Sequence, residues 1–376
     1  AALPILFSTL LAEKPCTLKN VPNIVDIKTT IKLLSELGMR TSYDAKTHTA
    51  ETEVKTLKSH QASYDLVRTM RASILVLGPL LARFGKAEVS LPGGCSIGAR
   101  PVNLHLTALE KMGAEIELEG GYIHAKASKL KGAEIFFEKI SVGATENTMT
   151  AAVLAEGTTV IHNAALEPEI VDLAKFLRAM GAKISGEGTS TITVTGVSSL
   201  KGTTHSILAD RIEAGTYLVA AAITGGSVSL PNVPREILGS VLDKLSACGI
   251  KITADQSGIH LNAENLPLKS VDLSTEPFPG FPTDMQGQMM ALMSVASGSS
   301  IISENIFENR FMHVAELIRL GADITVQGNT ACVRGKGSLI HGAYRSGLTG
   351  ATVMATDLRA SACLVLAGLA AEGTTH

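Results

Sequence analysis

The chain has 376 residues, 45% of them hydrophobic and 18% charged, so it is too apolar to be disordered and long enough for two domains with separate cores. A net charge of −2 and the absence of Trp argue against a nucleic-acid-binding surface, which needs clustered positive charge and aromatic rings. No apolar run reaches the roughly 20 residues of a membrane-spanning helix, and residues 1–11 lack the charged segment and cleavage site of a signal peptide. We therefore expect a cytoplasmic protein that is not inserted into a membrane.

The cysteines are odd in number and widely spaced, which predicts free thiols in a reducing compartment rather than a disulfide framework. They are Cys16, Cys95, Cys248, Cys332 and Cys363. All except Cys95 lie in apolar strand-like or helix-like contexts, where a thiol is expected to be inert. No Cys-x-x-Cys pair or other metal-ligand spacing occurs, so we expect neither a metal nor a cofactor.

One sequence signal recurs along the chain with a period of about 70 residues: a helix ends at Gly and a β-prone segment follows. The glycines are Gly38, Gly113, Gly181, Gly249 and Gly321. A second signal alternates with the first and also ends a helix before a strand. It occurs at residues 10–15, 81–85, 154–159, 222–226, 295–300 and 370–375. The repeat unit therefore contains two helices, each followed by strands.

Three such units in each half predict two similar α/β domains, 1–208 and 209–376, with the boundary just before a helix that starts at Asp210. The sixth copy of the first signal would lie beyond the last residue, and the first helix has no N-terminal cap. We therefore expect the first domain to be trimmed at its N-terminal end and the second at its C-terminal end.

The first helix of each unit begins at a recognisable start, near residues 69–71, 143–146, 209–211, 282–284 and 355–359. Equivalent helix ends of a repeat lie on the same side of a domain, so their unpaired N–H groups favour an anion site. Arg71 and Arg359 lie in two of these first turns, where acidic residues are usually preferred. The alternative is that each arginine pairs with a nearby carboxylate such as Asp357.

Three further places along the chain carry candidate chemistry. Residues 91–101, LPGGCSIGARP, form a glycine-rich loop suited to a lid, in which Arg100 could lower the pKa of the Cys95 thiol. The alternative for this cysteine is an inert small residue in a turn. Asp284, after a proline-rich turn, is either a first-turn acid or a general base. Arg310 lies at a loop-to-helix junction, and the nearby His313, like His105, is expected to be structural.

The motifs closely resemble the UDP-N-acetylglucosamine 1-carboxyvinyltransferase family of enolpyruvyl transferases. The resemblance covers the whole chain and is densest at YDLVRTMRAS (64–73), LPGGCSIGARPV (91–102), SVGAT (141–145), FPTDMQ (281–286), FENRFMHV (307–314) and VMATDLRASA (353–362). It implies two similar inside-out α/β barrel domains, each of three repeated α/β units, with the active site in the cleft between them. It also implies transfer of the enolpyruvyl group of phosphoenolpyruvate to the 3-hydroxyl of UDP-N-acetylglucosamine, with release of phosphate. This is the first committed step of peptidoglycan precursor synthesis, which links the protein to cell-wall biogenesis, cell shape and cell division.

The resemblance assigns roles to individual residues. Cys95 would protonate the methylene carbon of phosphoenolpyruvate and is the thiol that the antibiotic fosfomycin would alkylate. Asp284 would accept the hydroxyl proton, and Arg100 would act beside the substrates. The residues implied to bind the two substrates are Arg71, Arg100, Pro101, Val102, Asn103, Leu104, Lys139, Ile140, Ser141, Val142, Asp284, Ile306, Arg310, Asp357 and Arg359.

The chain also departs from the family pattern. Asn103 stands where the family usually has Asp, and residues 335–350 are longer than usual, which predicts a surface loop. The family has a Lys-Asn pair just before the segment that opens here as Ala1, and an Arg beyond the final Glu-Gly-Thr-Thr. Two alternatives therefore stay open. One is a non-catalytic UDP-sugar-binding homologue. The other is the related 3-phosphoshikimate enolpyruvyl transferase, whose pattern lacks the Cys95 loop.

Overall fold

The computed structural model describes every residue except 69, 92–101, 265–267, 341–342 and 356, and the side chains of Ile340 and Ala343 are also left undescribed. The described residues divide into two compact units, the first ending at Leu208 and the second covering Ala209–His376. None of the helices in the described part of the chain has the length and apolar character needed to cross a bilayer.

The first unit is a threefold repeat of helices and small sheets. Its helices are α1 (Ala2–Ser8), α2 (Val25–Leu37), α3 (Tyr64–Val67), α4 (Leu77–Phe84), α5 (Asn103–Lys111), α6 (Val142–Ala152) and α7 (Pro168–Ala179), with 3-10 turns at Thr9–Leu11 and Arg71–Val76. Its strands are β1 (Cys16–Lys19), β2 (Arg40–Asp44), β3 (Thr49–Glu53), β4 (Gln61–Ala62), β5 (Lys86–Ser90), β6 (Glu115–Glu119), β7 (Tyr122–Lys126), β8 (Glu134–Phe136), β9 (Thr158–His162), β10 (Lys183–Ser185), β11 (Thr191–Thr195) and β12 (Thr204–Ser206). These strands form three four-stranded sheets of the same design, β12-β1-β3-β2, β4-β5-β7-β6 and β8-β9-β11-β10.

In each of these sheets a short strand pairs in parallel with the strand that follows the first helix of a repeat. For the first sheet that short strand is β12, at the end of the unit, with Thr17 opposite Thr204. The last repeat of the first unit is therefore joined to the first by main-chain hydrogen bonds, which closes the unit on itself.

The second unit repeats the same pattern of elements. Its helices are α8 (Arg211–Ile223), α9 (Gly239–Ala247), α10 (Gln286–Ser294), α11 (His313–Arg319) and α12 (Leu358–Ala370), with 3-10 turns at Arg235–Ile237 and Thr283–Met285. Its strands are β13 (Ser227–Pro231), β14 (Lys251–Asp255), β15 (Gly258–Asn262), β16 (Leu273–Ser274), β17 (Ser297–Ser303), β18 (Asp323–Gln327), β19 (Thr330–Lys336), β20 (Ser338–Ile340) and β21 (Ala343–Arg345). The sheets are β13-β15-β14, β16-β17-β19-β18 and the pair β20-β21.

A central helix organises each unit. In α6 all residues from Ala144 to Ala152 are buried, and in α10 all nine residues are buried. A helix that is covered on every side must lie inside the core rather than on its surface. Helix α6 packs against α1, α4, α5 and α7, whereas α10 packs against α8 and α12. Each unit therefore has helices at its centre and sheets around them.

The helix ends that the glycines predict are confirmed. Each of the five glycines follows the second helix of a repeat with a positive φ, between +92° and +110°. Glycine reaches this left-handed region without steric cost, whereas a side chain there would be strained. The alternating signal is also confirmed as a series of helix ends, and five of its six copies lead directly into a strand.

A third repeated signal, not among those predicted from the sequence, lies at residues 57–59, 130–132, 200–202, 268–270 and 348–350, which read LKS, LKG, LKG, LKS and LTG. In every copy the N–H of the middle residue donates to the carbonyl just before the helix-ending glycine. The pairs are Lys58 with Leu37 at 2.8 Å, Lys131 with Met112 at 2.8 Å, Lys201 with Met180 at 2.9 Å, Lys269 with Cys248 at 3.0 Å and Thr349 with Leu320 at 2.9 Å. We call this contact the helix-end bond, because it satisfies a carbonyl that the end of a helix leaves without a partner.

The expectation of a surface loop at residues 335–350 is wrong. Strand β19 continues to Lys336, and β20 and β21 then pair antiparallel, with Ser338 opposite Arg345. The hydroxyl of Tyr344 in β21 donates to the carbonyl of Val295 at 2.7 Å, which ties this hairpin to the end of α10. The segment alternates polar and apolar residues only weakly and has a glycine at each end. Both features are typical of a loop, so the sequence does not reveal its strands.

Candidate active site

The second unit holds a carboxylate between two arginines. Asp284 lies in the 3-10 turn Thr283–Met285, which leads into the buried helix α10. Its Oδ1 accepts a hydrogen bond from Nη2 of Arg310 at 2.6 Å, and its Oδ2 accepts one from Nη2 of Arg359 at 3.0 Å. Residues that are 26 and 75 positions away from Asp284 are thus brought to its two oxygens. Hydrogen bonds between charged groups of this kind are the strong ones.

The fold positions both arginines to reach one carboxylate. The Arg310 side chain is only 6% exposed, and its guanidinium lies 5.2 Å from the centre of the Phe307 ring. Arg359 lies in the first turn of α12, where the Asp357 side chain caps the helix by accepting from the Arg359 N–H at 2.9 Å. Asp357 therefore contacts the Arg359 backbone, while the Arg359 side chain pairs with Asp284. The alternative considered for the first-turn arginines, pairing with a carboxylate, therefore holds for Arg359, but the partner is Asp284 rather than Asp357.

These charges set the protonation of Asp284. Burial alone would raise the pKa of its carboxyl, but the charges of Arg359 and Arg310 and their hydrogen bonds outweigh burial and lower the pKa below its usual value. The carboxylate is therefore ionised at neutral pH, and the two arginines leave one positive charge in excess. Asp284, Arg310 and Arg359 together therefore offer a proton acceptor and a fixed positive charge that could bind an anion.

A second carboxylate lies behind this group. Glu304 follows β17 directly, is only 3% exposed, and is not among the residues predicted from the sequence. Its Oε2 accepts from the Thr283 hydroxyl at 2.9 Å, and its Oε1 accepts from the backbone N–H groups of Ile306 at 2.9 Å and Phe307 at 3.1 Å. The predicted substrate contact Ile306 is exposed at this loop. An acidic residue between a strand of small and apolar residues and the motif FENRF is the signal that could have revealed it.

The first unit groups the starts of several helices. Ser141 caps α6 by accepting from the Ala144 N–H at 3.2 Å, and the predicted contacts Lys139 and Ile140 are exposed just before it. Val102 precedes α5, whose first two residues are the predicted contacts Asn103, which is exposed, and Leu104, which is half-buried. Arg71 begins the 3-10 turn Arg71–Val76 and is half-buried.

A buried amide joins these helix starts. Asn147 of α6 accepts from the Gly78 N–H at 2.7 Å, and its side-chain nitrogen lies 3.2 Å from the Ile74 carbonyl and 3.1 Å from Nδ1 of His105. Because the amide nitrogen only donates, the His105 Nδ1 accepts, and the ring proton lies on Nε2. Burial, followed by the charge of Arg71, lowers the pKa of His105 to about 4, so this ring is neutral at physiological pH.

His313 behaves in a similar way in the second unit. Burial lowers its pKa to about 4, with Asp357 opposing and Arg310 reinforcing the shift. Neither this ring nor that of His105 belongs to a metal-binding cluster, since no group of three or more His, Cys, Asp or Glu within the described ranges is arranged around a common metal position.

The loop residues Cys95, Arg100 and Pro101 lie outside the described residues. The described cysteines are not joined in disulfides. Burial raises the pKa of the Cys16, Cys248 and Cys363 thiols, which keeps them protonated and poorly nucleophilic. Cys332 lies in β19.

Comparisons with known proteins agree along the whole chain. The family model described as EPSP synthase (3-phosphoshikimate 1-carboxyvinyltransferase) matches residues 1–376. A UDP-N-acetylglucosamine 1-carboxyvinyltransferase of Nitratidesulfovibrio vulgaris is 58% identical over 376 residues, which is 100% of this chain and 87% of that protein. A protein of the same name from Pseudoalteromonas atlantica is 56% identical over 379 residues, again 100% of this chain and 87% of its own length.

Solved structures show the same fold. The enolpyruvyl transferase NikO from Streptomyces tendae matches with a TM-score of 0.88 at 23% identity, covering 99% of this chain and 86% of its own. EPSP synthase from Acinetobacter baumannii matches with a TM-score of 0.72 at 21% identity, covering 98% of this chain and 87% of its own. The predicted fold of two inside-out α/β barrel domains is therefore confirmed as the enolpyruvyl transferase fold. Together with the high identity to the curated relatives, these matches establish that the chain belongs to the enolpyruvyl transferases and, within them, to the UDP-N-acetylglucosamine 1-carboxyvinyltransferase family.

Proposed function

We propose that the protein transfers the enolpyruvyl group of phosphoenolpyruvate to the 3-hydroxyl of UDP-N-acetylglucosamine and releases phosphate. The observation that carries this proposal is the ionised carboxylate of Asp284 held between Arg310 and Arg359. The reaction needs a group that accepts a hydroxyl proton and fixed positive charge for an anionic substrate and a leaving phosphate. Both are present within one unit, on residues that match the motifs of the family.

In the addition step, Asp284 takes the proton of the sugar hydroxyl as its oxygen forms a bond to the central carbon of phosphoenolpyruvate. The Cys95 thiol gives a proton to the methylene carbon, so that the double bond becomes a methyl group. In the elimination step, the methyl group returns a proton to the Cys95 thiolate and its C–H electrons restore the double bond as the C–O bond to phosphate breaks. The leaving phosphate carries away the proton held on Asp284, so both groups return to their starting states. Arg310 and Arg359 hold the negative charge of phosphoenolpyruvate throughout, and Arg100 acts beside the reacting atoms.

The first unit supplies most contacts to the UDP-sugar in this proposal. Unpaired N–H groups at the start of a helix bind phosphate well, and α5 and α6 both begin within the segments assigned to this substrate. The contacts are Arg71, Arg100, Pro101, Val102, Asn103, Leu104, Lys139, Ile140, Ser141 and Val142, together with Asp284 and Ile306 from the second unit; Asp357 supports Arg359 at the phosphoenolpyruvate side.

We further propose domain limits of 1–208 and 209–376, action in the cytoplasm without membrane insertion or a nucleic-acid partner, and no cofactor. The product would enter peptidoglycan precursor synthesis, and loss of the activity would disturb cell-wall biogenesis, cell shape, the cell cycle and division. Fosfomycin would act by alkylating Cys95.

The proposal is tested by measuring phosphate release from phosphoenolpyruvate with UDP-N-acetylglucosamine, and in parallel with shikimate 3-phosphate. The expected result is phosphate release in the assay with UDP-N-acetylglucosamine and none in the assay with shikimate 3-phosphate. Release only with shikimate 3-phosphate would replace the proposal with the related transferase activity. Calorimetric binding of the nucleotide sugar with no turnover would instead identify a non-catalytic binding protein.

Intact mass after treatment with fosfomycin tests the role of Cys95 separately. A single adduct is expected on the native chain, and Cys95→Ser should abolish it. The matched variant Cys332→Ser, which removes a thiol from strand β19, should leave the adduct unchanged. An adduct that persists in Cys95→Ser would remove this thiol from the mechanism.

A further inference from the structure

Glu304 is a buried carboxylate for which the proposed reaction has no direct use. It accepts four hydrogen bonds: from the hydroxyls of Thr275 at 3.0 Å and Thr283 at 2.9 Å, and from the N–H groups of Ile306 at 2.9 Å and Phe307 at 3.1 Å. These donors come from three separate segments of the second unit. Because only 3% of the surface of Glu304 is exposed, these donors replace the water molecules that its carboxylate would bind in the unfolded chain.

The hydrogen bonds of Glu304 fix the direction of one hydroxyl. A carboxylate oxygen only accepts, so the proton of Thr283 Oγ1 points to Glu304. A guanidinium only donates, and Nη1 of Arg310 lies 3.3 Å from the same hydroxyl oxygen. Thr283 therefore accepts from Arg310 while it donates to Glu304. The hydrogen bonds run in one direction, from Arg310 through Thr283 to Glu304.

This direction matters because Arg310 also holds Asp284. Its other terminal nitrogen, Nη2, donates to Asp284 Oδ1 at 2.6 Å. The guanidinium is planar and rigid, so fixing Nη1 on Thr283 also fixes where Nη2 points. Thr283 and Asp284 are neighbours in one 3-10 turn, which leaves the carboxylate little freedom to follow a misplaced arginine.

We propose that Glu304 is a positioning residue that orients Arg310 through the Thr283 hydroxyl and thereby aligns Asp284. The proposal rests on the proposed function, in which Asp284 accepts the proton. Glu304 touches no reacting atom in this arrangement, and its effect on the reaction passes through Thr283.

The variant Glu304→Gln tests this proposal. The amide oxygen can keep the bonds to the Ile306 and Phe307 N–H groups, which leaves the amide nitrogen facing Thr283. The hydroxyl must then accept from the amide and turn its proton towards Arg310, so that two donors face each other. We expect kcat to fall by about 100-fold, since displacement of a reacting group by about 1 Å costs that much. The KM for UDP-N-acetylglucosamine should change much less than kcat, because the Ile306 loop keeps its acceptor and only the Asp284 contact is disturbed.

The pH profile provides a readout that loss of packing alone would not move. Arg310 and Arg359 face Asp284 directly, Glu304 stands behind Thr283, and Asp357 and His313 act on the surroundings of the arginines. With Arg310 displaced, the carboxyl of Asp284 loses part of the charge that favours ionisation. The acidic limb of kcat should therefore move to higher pH in Glu304→Gln. An acidic limb and a kcat equal to those of the native chain would overturn the proposal.

A double-mutant cycle isolates the path through Thr283. Thr283→Val removes the bridging hydroxyl, while Thr283→Ser keeps it and should retain more activity. If Glu304 acts through this hydroxyl, adding Glu304→Gln to Thr283→Val should lower kcat little further. Losses that multiply in the double variant would show that Glu304 acts by another route and would overturn the proposal, even if Glu304→Gln alone folds poorly.

A control carboxylate lies elsewhere in the same unit. Asp272 accepts from the Ile301 N–H at 2.7 Å at the exposed side of β17. Asp272→Asn should lower stability without changing kcat or the pH profile.

If the native chain itself shows no transfer, the proposed function fails. The titration midpoint of the Asp284 carboxyl, measured by carbon NMR, still tests whether Glu304 positions Arg310. That midpoint should rise in Glu304→Gln, and an unchanged midpoint would overturn the inference.

Discussion

The two units use equivalent helix starts for different chemistry. In the first unit a network of neutral groups lies at these starts, beside the charged Arg71: Ser141 caps a helix with a hydroxyl, and Asn147 binds an uncharged His105. In the second unit they are charged, with Asp284 bound by two arginines. Both units repeat an alternation of helices and strands, so the repeat determines where a helix begins but not which side chain stands there. A duplicated fold can thus present hydrogen-bonding groups in one copy and fixed charges in the other.

The largest expected effect concerns the charged cluster. Asp284→Asn removes the proton acceptor and leaves two arginines without their carboxylate, so kcat should fall by roughly 100-fold to 10,000-fold, the usual contribution of a general base. The measurement is phosphate release at saturating substrates. Asp323→Asn, which removes an exposed partner of Arg334 at 3.1 Å in the same unit, should leave kcat unchanged. A loss of only a few-fold in Asp284→Asn would show that the charged cluster is not the chemical centre.

The neutral network of the first unit should matter for stability. Asn147→Leu leaves the Gly78 N–H, the Ile74 carbonyl and His105 Nδ1 without their buried partner, which should cost roughly 4 kcal/mol of unfolding free energy. The measurement is urea denaturation. Thr150→Val in the same helix removes a hydroxyl that donates to the Asn147 carbonyl at 2.9 Å, and it should cost about 1 kcal/mol or less. Equal losses in the two variants would contradict a special role for Asn147.

The two buried histidines make stability depend on pH in both units. The folded-state pKa of His105 and of His313 is lowered to about 4 from the model-peptide value of 6.5. The unfolded chain therefore binds protons first as the pH falls, so stability is fully present above pH 6.5 and is lost progressively towards pH 4. We expect a loss of about 3 kcal/mol at most for each ring.

Unfolding free energies measured between pH 8 and pH 4 test this dependence. His105→Gln and His313→Gln should each flatten the curve, and each by a similar amount. Equal effects would sharpen the comparison of the two units. They would show that burial keeps a histidine neutral both in the neutral network of the first unit and beside the charged cluster of the second. A curve that His105→Gln leaves unchanged would contradict the assignment for the first unit.

The smallest effects should come from surface ion pairs at equivalent places in the two units. Arg40 pairs with Glu53 across β2 and β3 in the first unit, and Asp323 pairs with Arg334 across β18 and β19 in the second, each at 3.1 Å. Glu53→Gln and Asp323→Asn should each change the unfolding free energy by less than about 1 kcal/mol, and less in high salt. A change of several kcal/mol in only one unit would show that the repeats differ in more than their helix starts.

The sequence predicts the parts of the fold whose chemistry is local. A glycine such as Gly113 marks a helix end because the conformation it adopts is nearly closed to other residues. The helix starts at Asp210 and Asp357 are predicted for a similar reason, since each side chain caps its own backbone. The helix-end bond is missed because its acceptor is a main-chain carbonyl of a distant segment, and the recurring LKS, LKG and LTG triplets do not show which carbonyl that is.

The candidate site is predicted as a set of residues but not as an arrangement. Arg310 and Arg359 are singled out from their positions beside helix starts, yet nothing in the sequence connects them to opposite oxygens of Asp284. Glu304 is missed altogether, because a single acid after a strand is usually a solvated residue. Its burial follows from the packing of three segments, which a local pattern does not contain.

The helix-end bond has a consequence for how far such chains can diverge. In all five copies it joins an N–H to a carbonyl, so the contact depends on backbone position and hardly at all on which side chains surround it. Substitution can therefore change most residues of a repeat without removing the bond that holds its second helix in place. Substitutions then change the side chains, while these main-chain contacts keep the geometry of the repeat.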